Sequence, residues 1–388
     1  EPCLGYHVYR RYNQGLVMPD QHIVIAPDSF KGSLSARDVA AALAAGLAEA
    51  DPTLVITQAP MADGGEGLLD AIAATCPGSW HSAVQTGIHG RSLEARWYAM
   101  DTGTAVIESA EVLGLPLIEA ASEAPDLAAR GSYALGTLIA EVLDEGWRDI
   151  AVGLGGSACN DAGLGLLLAL GAVATDSTGS RVSPDMNGLL SLARIDLRDL
   201  DVRLAETRLR VFCDVDNPLL GDNGASRIYG PQKGLGPAQI AAVESAFDTL
   251  AVQSRFPDRA DRPGSGAAGG LGFALALLGG RLESGAQAVI ELTGLAQRMR
   301  DADRVITGEG RSDRQTLSGK LPVAVARAAG DTPTWLVAGD IEAQAREALA
   351  GCFARCITLI ETAGDRDSAL AEPARWLRQI GHDMGRSP

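Results

Sequence analysis

Carboxylates and lysines recur in short segments that follow predicted strands. Four such segments, 27–33, 61–67, 213–218 and 307–313, each carry at least one acidic residue. Phosphoryl transfer requires carboxylates that bind Mg²⁺ or accept a proton, together with cations that neutralise the transferred charge. Each segment also has a structural explanation, since Asp and Ser cap helices and Gly permits turns. Their shared position, rather than any one residue, indicates a site for phosphoryl transfer.

Two glycine-rich loops are candidate phosphate cradles. The loop 153–161 follows a predicted strand and precedes a helix, so its N–H groups could face an anion. Its Ser157 offers a hydroxyl and its Asp161 a carboxylate for Mg²⁺. The loop 264–272 also precedes an apolar helical stretch. A tight strand-to-helix turn capped by Asn160 or Asp161 is the open alternative for the first loop, and neither loop has the Walker pattern.

Composition excludes several classes of function. The net charge is -16, with 33 Lys and Arg against 49 Asp and Glu, which disfavours nucleic acid as a partner. None of the five His residues lies in the candidate loops, which disfavours a His-dependent hydrolase. The longest apolar stretch, 163–174, is too short to span a bilayer, and six scattered Cys residues indicate a reducing cytoplasm.

The order of predicted elements indicates an α/β protein. A strand at 23–26, a helix at 36–50, a strand at 54–60 and a helix at 68–75 form a repeating unit that is typical of a parallel sheet. Extended segments at 82–86, 93–100 and 104–109 predict antiparallel pairing. Alternation resumes further along the chain, with helices predicted at 134–145 and 163–170 and strands at 150–154, 210–215, 304–307, 334–338 and 356–360.

The length of 388 residues favours two domains, because single cores rarely grow beyond roughly 250–300 residues. The last strands resemble the opening units, so we predict a discontinuous parallel domain, Rossmann-like or flavodoxin-like, formed by 22–80 and about 295–388. A mixed α/β domain at about 81–294 would be inserted in it, with the active site in the cleft between them. We expect 1–21 to be a disordered or non-native arm, with Met18 as a candidate native start.

Seven ordered segments resemble the bacterial glycerate kinase family, type 1. They are IAPDSFKGSLSA (25–36), PMADGGEG (60–67), GLGGSACNDAGLG (153–165), CDVDNPLLG (213–221), YGPQKG (229–234), GSGAAGGLG (264–272) and VITGEGRSDRQTLSGKLP (305–322). The resemblance implies ATP-dependent phosphorylation of D-glycerate with Mg²⁺, usually to 2-phosphoglycerate, on a two-domain α/β fold. Cys159 and Ala162 stand where the family usually has Thr and Gly, so Cys159 receives no phosphate or metal role.

We assign residues to binding of the phosphoryl acceptor and to catalysis as hypotheses. Lys31, Ser29 and Ser33 would bind the substrate carboxylate or the transferred phosphate. Asp214 and Asp313, unranked, would serve as general base or Mg²⁺ ligand. Further candidates for substrate binding are Asp63, Glu66 and Lys233, and the candidate metal ligands are Asp161 and Asp214.

We assign nucleotide binding to residues of the two glycine-rich loops and to two charged residues elsewhere in the chain. The candidate nucleotide-binding residues are Gly155, Gly156, Ser157, Gly264, Ser265, Gly266, Gly269, Gly270, Glu309 and Lys320. Lys233 and Lys320 would neutralise charge on the transferring phosphoryl group. A kinase for another hydroxy acid or sugar acid, and a sensor that binds a phosphorylated metabolite without turnover, remain open alternatives. So do the 2- or 3-position of phosphorylation and a monomeric or dimeric state.

Overall fold

The computed structural model describes residues 21–121 and 123–386, so the predicted arm falls outside the described residues except for Gln21. The strands are β1 (His22–Ile25), β2 (Val55–Gln58), β3 (Gly78–Thr86), β4 (Ser92–Met100), β5 (Ala105–Glu108), β6 (Asp149–Gly153), β7 (Val173–Thr175), β8 (Arg194–Asp196), β9 (Arg208–Cys213), β10 (Arg281–Ser284), β11 (Arg304–Ser312), β12 (Thr334–Ile341) and β13 (Arg355–Thr358).

The helices are α1 (Ala36–Ala50), α2 (Leu68–Thr75), α3 (Ala110–Leu113), α4 (Leu115–Glu119), α5 (Tyr133–Asp144), α6 (Leu164–Ala169), α7 (Met186–Leu190), α8 (Ala225–Tyr229), α9 (Pro237–Gln253), α10 (Ala267–Leu277), α11 (Gly285–Leu292), α12 (Leu295–Arg300), α13 (Leu321–Ala329), α14 (Ala343–Ala350), α15 (Leu359–Ala363), α16 (Arg366–Ala371) and α17 (Pro373–Gly385). None of these helices is both long enough and apolar enough to cross a bilayer.

The first sheet is parallel throughout and has the strand order β13-β12-β11-β1-β2. Its strand β1 is buried on both faces, as expected for a strand covered by helices on each side. Ile23 and Ile25 pack in a cluster with α1 and α17. Val24 and Ala26 point the opposite way and pack with α2, α11 and α13. The β-strand period of two therefore sends alternate residues of one strand into two different cores.

The second sheet is mixed, with the order β10-β9-β6-β5-β4-β3. The strands β3, β4 and β5 pair antiparallel, as the sequence predicted, and the remaining neighbours pair parallel. Trp97 and Ile107 face the core that contains α5 and α6. Tyr98 and Val106 face the same cluster as Val24 of the first sheet. A small third sheet pairs β7 with β8.

One apolar cluster lies between the two large sheets. It contains Val24 and Val305 of the first sheet, Tyr98 and Phe212 of the second, and side chains of α2, α11, α12 and α13. The expected α/β class with one parallel sheet is confirmed. The proposed division into domains stays a prediction, and β3 begins at Gly78, before the boundary drawn at residue 81.

The first sheet has a switch point between β1 and β11, where the chain order along the sheet reverses. The helix that follows β1 packs on one face of the sheet, and α13, which follows β11, packs mainly on the other. Such a reversal leaves a crevice at the carboxyl ends of the two strands, where α/β proteins bind ligands. Hydrogen bonds from Asp28 N to Gly308 O (2.8 Å) and from Thr307 Oγ1 to Ala26 O (2.8 Å) hold the two strand ends together.

The strand predicted at 356–360 is shorter than expected, because β13 ends at Thr358 and α15 begins at the next residue. The Thr358 hydroxyl accepts a hydrogen bond from Glu361 N (3.1 Å) and donates one to the Glu361 carboxylate (2.8 Å). This cap starts a helix within a run of β-branched residues, because it satisfies a backbone donor that the first helical turn leaves unpaired.

Helices α1 and α17 pack closely at Gly381 of α17. A Cβ on Gly381 would lie 2.3 Å from Leu43 O, so we expect Gly381→Ala to force the helices apart and destabilise the protein by about 1–3 kcal/mol. Urea unfolding would measure this change. The control is Gly236→Ala, whose new Cβ would meet nothing nearer than 3.5 Å and should cost much less. Equal stability of the two variants would contradict the close packing.

Candidate active site

A cleft of about 1490 Å³ opens where the carboxyl ends of both large sheets face each other. Loops that follow β1, β2 and β11 line it from the first sheet, and loops that follow β6 and β9 line it from the second. Thirteen of the predicted site residues line this cleft: Ser29, Lys31, Ser33, Asp63, Glu66, Gly155, Gly156, Ser157, Asp214, Lys233, Glu309, Asp313 and Lys320.

Close backbone contacts bring Asp63 of the first sheet to Asp214 of the second. A Cβ on Gly285, the first residue of α11, would lie 1.7 Å from Asp63 O, so only glycine permits this approach. Gly64 has φ +92° and leaves no room for a side chain against Phe212. Asp214 follows β9 directly and accepts a backbone hydrogen bond from Ala286 at the start of α11. The two carboxylates are therefore placed by backbone packing.

The resulting cluster of carboxylates is costly to ionise. Burial, reinforced by the negative charges of Asp63, Glu309 and Asp214, raises the pKa of Asp28 to about 8. Burial and the charge of Asp63 raise the pKa of Asp214 to about 7, against the opposing effect of Lys320. Perturbed carboxylates in a cleft are typical of functional sites, because structural packing alone rarely gathers uncompensated acids.

Glu309 lies within the last half of β11, and Asp313 follows the strand directly. Glu309 is buried and accepts hydrogen bonds from Ser312 Oγ (2.8 Å) and Thr316 Oγ1 (2.7 Å). Burial raises its pKa. Asp313 accepts from Gln315 N (2.7 Å) and also lies 3.8 Å from the Lys320 ammonium. One Asp313 oxygen therefore stabilises its own loop, while Lys320 brings positive charge to this wall.

The segment between β1 and α1 is a tight turn that presents Lys31 and Ser33 at the cleft. Phe30 N donates to Leu34 O (2.8 Å), and Gly32 has φ +76° at the apex. Phe30 is buried and anchors the turn, whereas Lys31 and Ser33 are exposed. An exposed lysine on an anchored turn can contact a charged ligand without a large burial cost.

The glycines of the loop after β6 serve contact between the sheets as well as access to the cleft. A Cβ on Gly153 would lie 2.4 Å from Gly64 O, and one on Gly155 would lie 2.4 Å from Gly65 Cα. Gly156 has φ +58° with open space around it. The glycine pattern that indicated a phosphate cradle thus also permits the loops of the two sheets to touch.

The loop 264–272 contributes less to the cleft than predicted. Ala267 and Ala268 line the cleft, but Gly264, Ser265, Gly266, Gly269 and Gly270 do not. Ser265 Oγ is buried and donates to Arg259 O (2.6 Å). A Cβ on Gly270 would lie 2.7 Å from Ala162 Cα, so this glycine lets the two glycine-rich loops pack together. A nucleotide role for these five residues stays a prediction.

Asp161, a predicted metal ligand, is fully buried and does not line the cleft. Its carboxylate accepts hydrogen bonds from Ser132 N (2.8 Å), Ser132 Oγ (2.8 Å), Gly163 N (3.2 Å) and Gly165 N (3.1 Å). Burial raises its pKa, and these four donors oppose the shift. The N-cap of α6 is Gly163 rather than Asn160 or Asp161, but the bonds from Gly163 N and Gly165 N let Asp161 stabilise the start of this helix, and a metal role for Asp161 stays a prediction.

Asp28 and Glu108 line the cleft but were absent from the predicted site residues. Asp28 belongs to the family-like segment 25–36, and its place in the loop after β1 was the available signal. Glu108 ends β5 and accepts from Gly67 N (3.1 Å) and Leu69 N (3.3 Å) at the start of α2. Burial raises its pKa to about 7. Its only sequence signal was its place at the end of a predicted strand.

The fold and cleft define an α/β protein with a charged site shared by two sheets. The glycerate kinase family profile matches residues 23–387, and the chain therefore belongs to the glycerate kinase family. The chain is 44% identical over 312 residues to the glycerate 2-kinase of Escherichia coli K12, with 79% of this chain and 81% of that protein covered. The predicted family resemblance is confirmed.

Two further comparisons cover nearly the whole chain. The glycerate kinase of Bacillus subtilis strain 168 is 37% identical over 373 residues, which are 94% of this chain and 97% of that protein. A crystal structure from Salmonella typhimurium LT2, provisionally described as glycerate kinase 2, superposes with a TM-score of 0.79 at 35% identity. It covers 94% of this chain and 97% of that one.

The raised acid pKa values predict that the protein loses stability as pH rises. Folded Asp28 and Asp214 keep their protons to about pH 8 and 7, whereas an unfolded Asp has a pKa of about 3.9. The folded state therefore binds more protons between about pH 4 and 8, and the free energy of unfolding falls through this window.

We expect the Tm in metal-free buffer to decrease from pH 5.5 to 8.5, and Asp28→Asn to reduce that decrease. Asp222→Asn is the control, because its side chain is 98% exposed. It should leave the pH dependence of the Tm unchanged. A variant Asp28→Asn with the slope of the unmodified protein would contradict the raised pKa.

Proposed function

We propose that the protein transfers the γ-phosphoryl group of ATP to D-glycerate, with the 2-hydroxyl as acceptor and 2-phosphoglycerate as product. The observation that carries the proposal is the convergence of Asp28, Asp63 and Asp214 with lysines at a sheet switch point. Family membership supports the acceptor, and the name of the Escherichia coli relative supports the 2-position. A kinase for another small hydroxy acid would use the same phosphate groups and differ only in acceptor contacts.

The nucleotide phosphates would lie on the first-sheet side of the cleft. Lys31, Ser29 and Ser33 follow β1, and Lys320 begins α13, so all four border the switch-point crevice. Two lysines would offset the charge that builds up as the γ-phosphoryl group leaves ADP. Sequence alone left Lys31 to bind either the substrate carboxylate or the transferred phosphate, and its position at the crevice supports the phosphate.

Asp214 is our candidate general base. It follows the second sheet and lines the cleft opposite the β1 turn, where an acceptor hydroxyl would meet the phosphorus atom. In the proposed step the hydroxyl oxygen forms a bond to the γ-phosphorus, the bond to the ADP oxygen breaks, and Asp214 takes the hydroxyl proton. The backbone hydrogen bond from Ala286, at the start of α11, would hold the Asp214 carboxylate in place for that transfer.

The donor chemistry of the cluster fits Mg²⁺. Asp28 and Asp63 offer carboxylates near each other, with Asp63 raising the Asp28 pKa through its charge. Within residues 21–121 and 123–386 no three His, Cys, Asp or Glu side chains are gathered as a complete metal site. Mg²⁺ needs no such set, because it usually takes one or two carboxylates with substrate phosphates and water. When bound, it would neutralise phosphate charge and orient the triphosphate.

Replacement of Asp214 tests the chemistry. We expect Asp214→Asn to reduce kcat by about 100-fold or more, because the loss of a positioned base typically costs 10²–10⁴-fold. Coupled ADP release would measure it, with the Tm as a check on folding. The control Asp216→Asn changes an exposed neighbour that does not line the cleft and should retain activity. Near-normal turnover by Asp214→Asn would remove this assignment.

Magnesium binding has a readout that does not depend on turnover. We expect added Mg²⁺ to raise the Tm at pH 8, since an ion bound only by the folded state stabilises it and relieves repulsion among the acids. Asp63→Asn should abolish most of this increase, whereas Asp222→Asn should preserve it. An unchanged Tm in unmodified protein, with and without ATP, would exclude the site.

The acceptor and product are tested by ADP formation with Mg-ATP against D-glycerate, L-glycerate, glycerol, lactate and tartronate. ³¹P NMR of the product distinguishes the 2- from the 3-phosphate. We expect turnover with D-glycerate and a 2-phosphate signal. Turnover with another acid alone would keep the kinase chemistry and change the substrate, and no turnover with any acid would favour a sensor.

The five described cysteines are free thiols, which supports the proposed cytoplasmic location: Cys76, Cys159, Cys213, Cys352 and Cys356.

A further inference from the structure

Lys233 is a buried ammonium whose hydrogen bonds are incomplete. Its Nζ donates to Ser157 Oγ (3.0 Å) and to Cys159 O (2.7 Å), and the residue is only 6% exposed. A lysine ammonium has three donors, so one remains without a partner among the described residues. No carboxylate in that part of the chain lies within 4.0 Å of Nζ. The residue nevertheless lines the cleft.

A buried charge in this state is unfavourable by itself. Taking an ammonium out of water costs several kcal/mol unless an opposite charge or a full set of hydrogen bonds replaces the water. Burial accordingly lowers the pKa of Lys233, and the negative charge of Asp161 only partly opposes this. The Asp161 carboxylate is already held by four donors from Ser132, Gly163 and Gly165. The charge and the third donor of Nζ are therefore available to an anion that enters the cleft.

Asn160 gives a second, independent sign of a missing ligand. Its side chain is fully buried without lining the cleft, and neither its Nδ2 nor its Oδ1 has a hydrogen-bond partner among the described residues. A Cβ placed on Gly269 would lie 3.0 Å from Asn160 Cα and 2.9 Å from Lys233 Nζ, so both residues flank the same glycine. An unpartnered buried amide is unfavourable, because it has lost its hydrogen bonds to water without replacement.

We propose that Lys233, oriented by Ser157, binds the carboxylate of the hydroxy acid and thereby determines acceptor specificity. Ser157 also lines the cleft, and its hydroxyl accepts a hydrogen bond from Nζ and orients the ammonium. The inference rests on the proposed kinase function and adds to it the group that distinguishes an acid from a neutral polyol. It also moves Ser157 from the nucleotide side to the acceptor side.

The position in the fold favours a substrate carboxylate over a nucleotide phosphate. Lys233 and Ser157 belong to segments that follow strands of the second sheet, whereas Lys31 and Lys320 border the switch point of the first. A triphosphate carries several charges and suits the exposed Lys31 and the half-buried Lys320 at the crevice. One enclosed ammonium matches a single carboxylate, and this arrangement would leave the acceptor hydroxyl between Asp214 and the phosphates.

The test is the variant Lys233→Met, which keeps most of the unbranched side chain and removes its ammonium group. We expect the KM for D-glycerate to rise about 10- to 100-fold, as for the loss of a charge-assisted hydrogen bond, with the KM for ATP within about 3-fold of the unmodified protein. D-glyceramide, a neutral isostere with the same hydroxyls, should show little change in kcat/KM, or in Ki if its turnover is too slow to measure.

The matched control is Lys320→Met on the opposite wall. It should show the reverse pattern, with a raised KM for ATP and an almost unchanged KM for D-glycerate. If Lys233→Met instead raises the KM for ATP alone, the subsite holds a nucleotide phosphate and the proposal is wrong. An equal loss with D-glycerate and D-glyceramide would show a structural role, and that result also overturns it.

A second variant and a binding measurement apply if Lys233→Met does not fold or if the unmodified protein shows no turnover. Should Lys233→Met fail to fold, as judged by its thermal melt, Ser157→Ala replaces it, because this change removes only the hydroxyl that accepts from Lys233 Nζ (3.0 Å) and orients the ammonium. It should raise the KM for D-glycerate and leave the neutral isostere unchanged, and an unchanged KM would contradict the proposal. If unmodified protein shows no turnover, the kinase proposal fails separately. Calorimetric binding of D-glycerate to unmodified protein and to the variant then decides the carboxylate subsite.

Discussion

The contact between the loops of the two sheets is the constraint on which the site depends. Gly285 lies against the Asp63 backbone, and Gly155 lies against Gly65, at distances that no side chain would permit. These contacts place the Asp63 and Asp214 carboxylates close enough to raise the pKa of Asp214. Backbone packing therefore overcomes repulsion between like charges, and the apolar cluster between the sheets supplies the burial that makes this possible.

The cleft consequently contains uncompensated groups of both signs of charge. Acids that follow β1, β2 and β9 create a site for a cation, and burial makes the negative charges of Asp28 and Asp214 more costly than they would be in water. Lys233 has the opposite problem, since it is a buried cation with no carboxylate within 4.0 Å among the described residues. Both costs would fall when substrates bind, because a metal with a triphosphate and a carboxylate supply the missing charges. Uncompensated charges would thus lower the stability of the free protein, and the ligands that supply the missing charges would bind selectively.

Most of the chemistry-bearing positions could be read from the sequence. The ends of predicted strands identified Asp63, Asp214, Glu309 and Lys31, and all four line one cleft. Parallel strands present their carboxyl ends at one edge, so a short polar segment after each strand is informative without knowledge of the fold. The same reasoning could not separate the possible roles of Asp161, because a carboxylate that stabilises the start of a helix and one that faces a ligand follow strands at the same spacing.

The sequence by itself determined the α/β class, the antiparallel segment within 78–108 and the family, because strand periodicity and ordered motifs are local properties. Only the tertiary structure decided which loops meet. It separated the buried Asp161 from the cleft, added Asp28 and Glu108, and left Lys233 and Asn160 without full partners. Those outcomes depend on which atoms of distant segments come within a few ångströms, and on how much water the packing removes, neither of which is encoded in residue spacing.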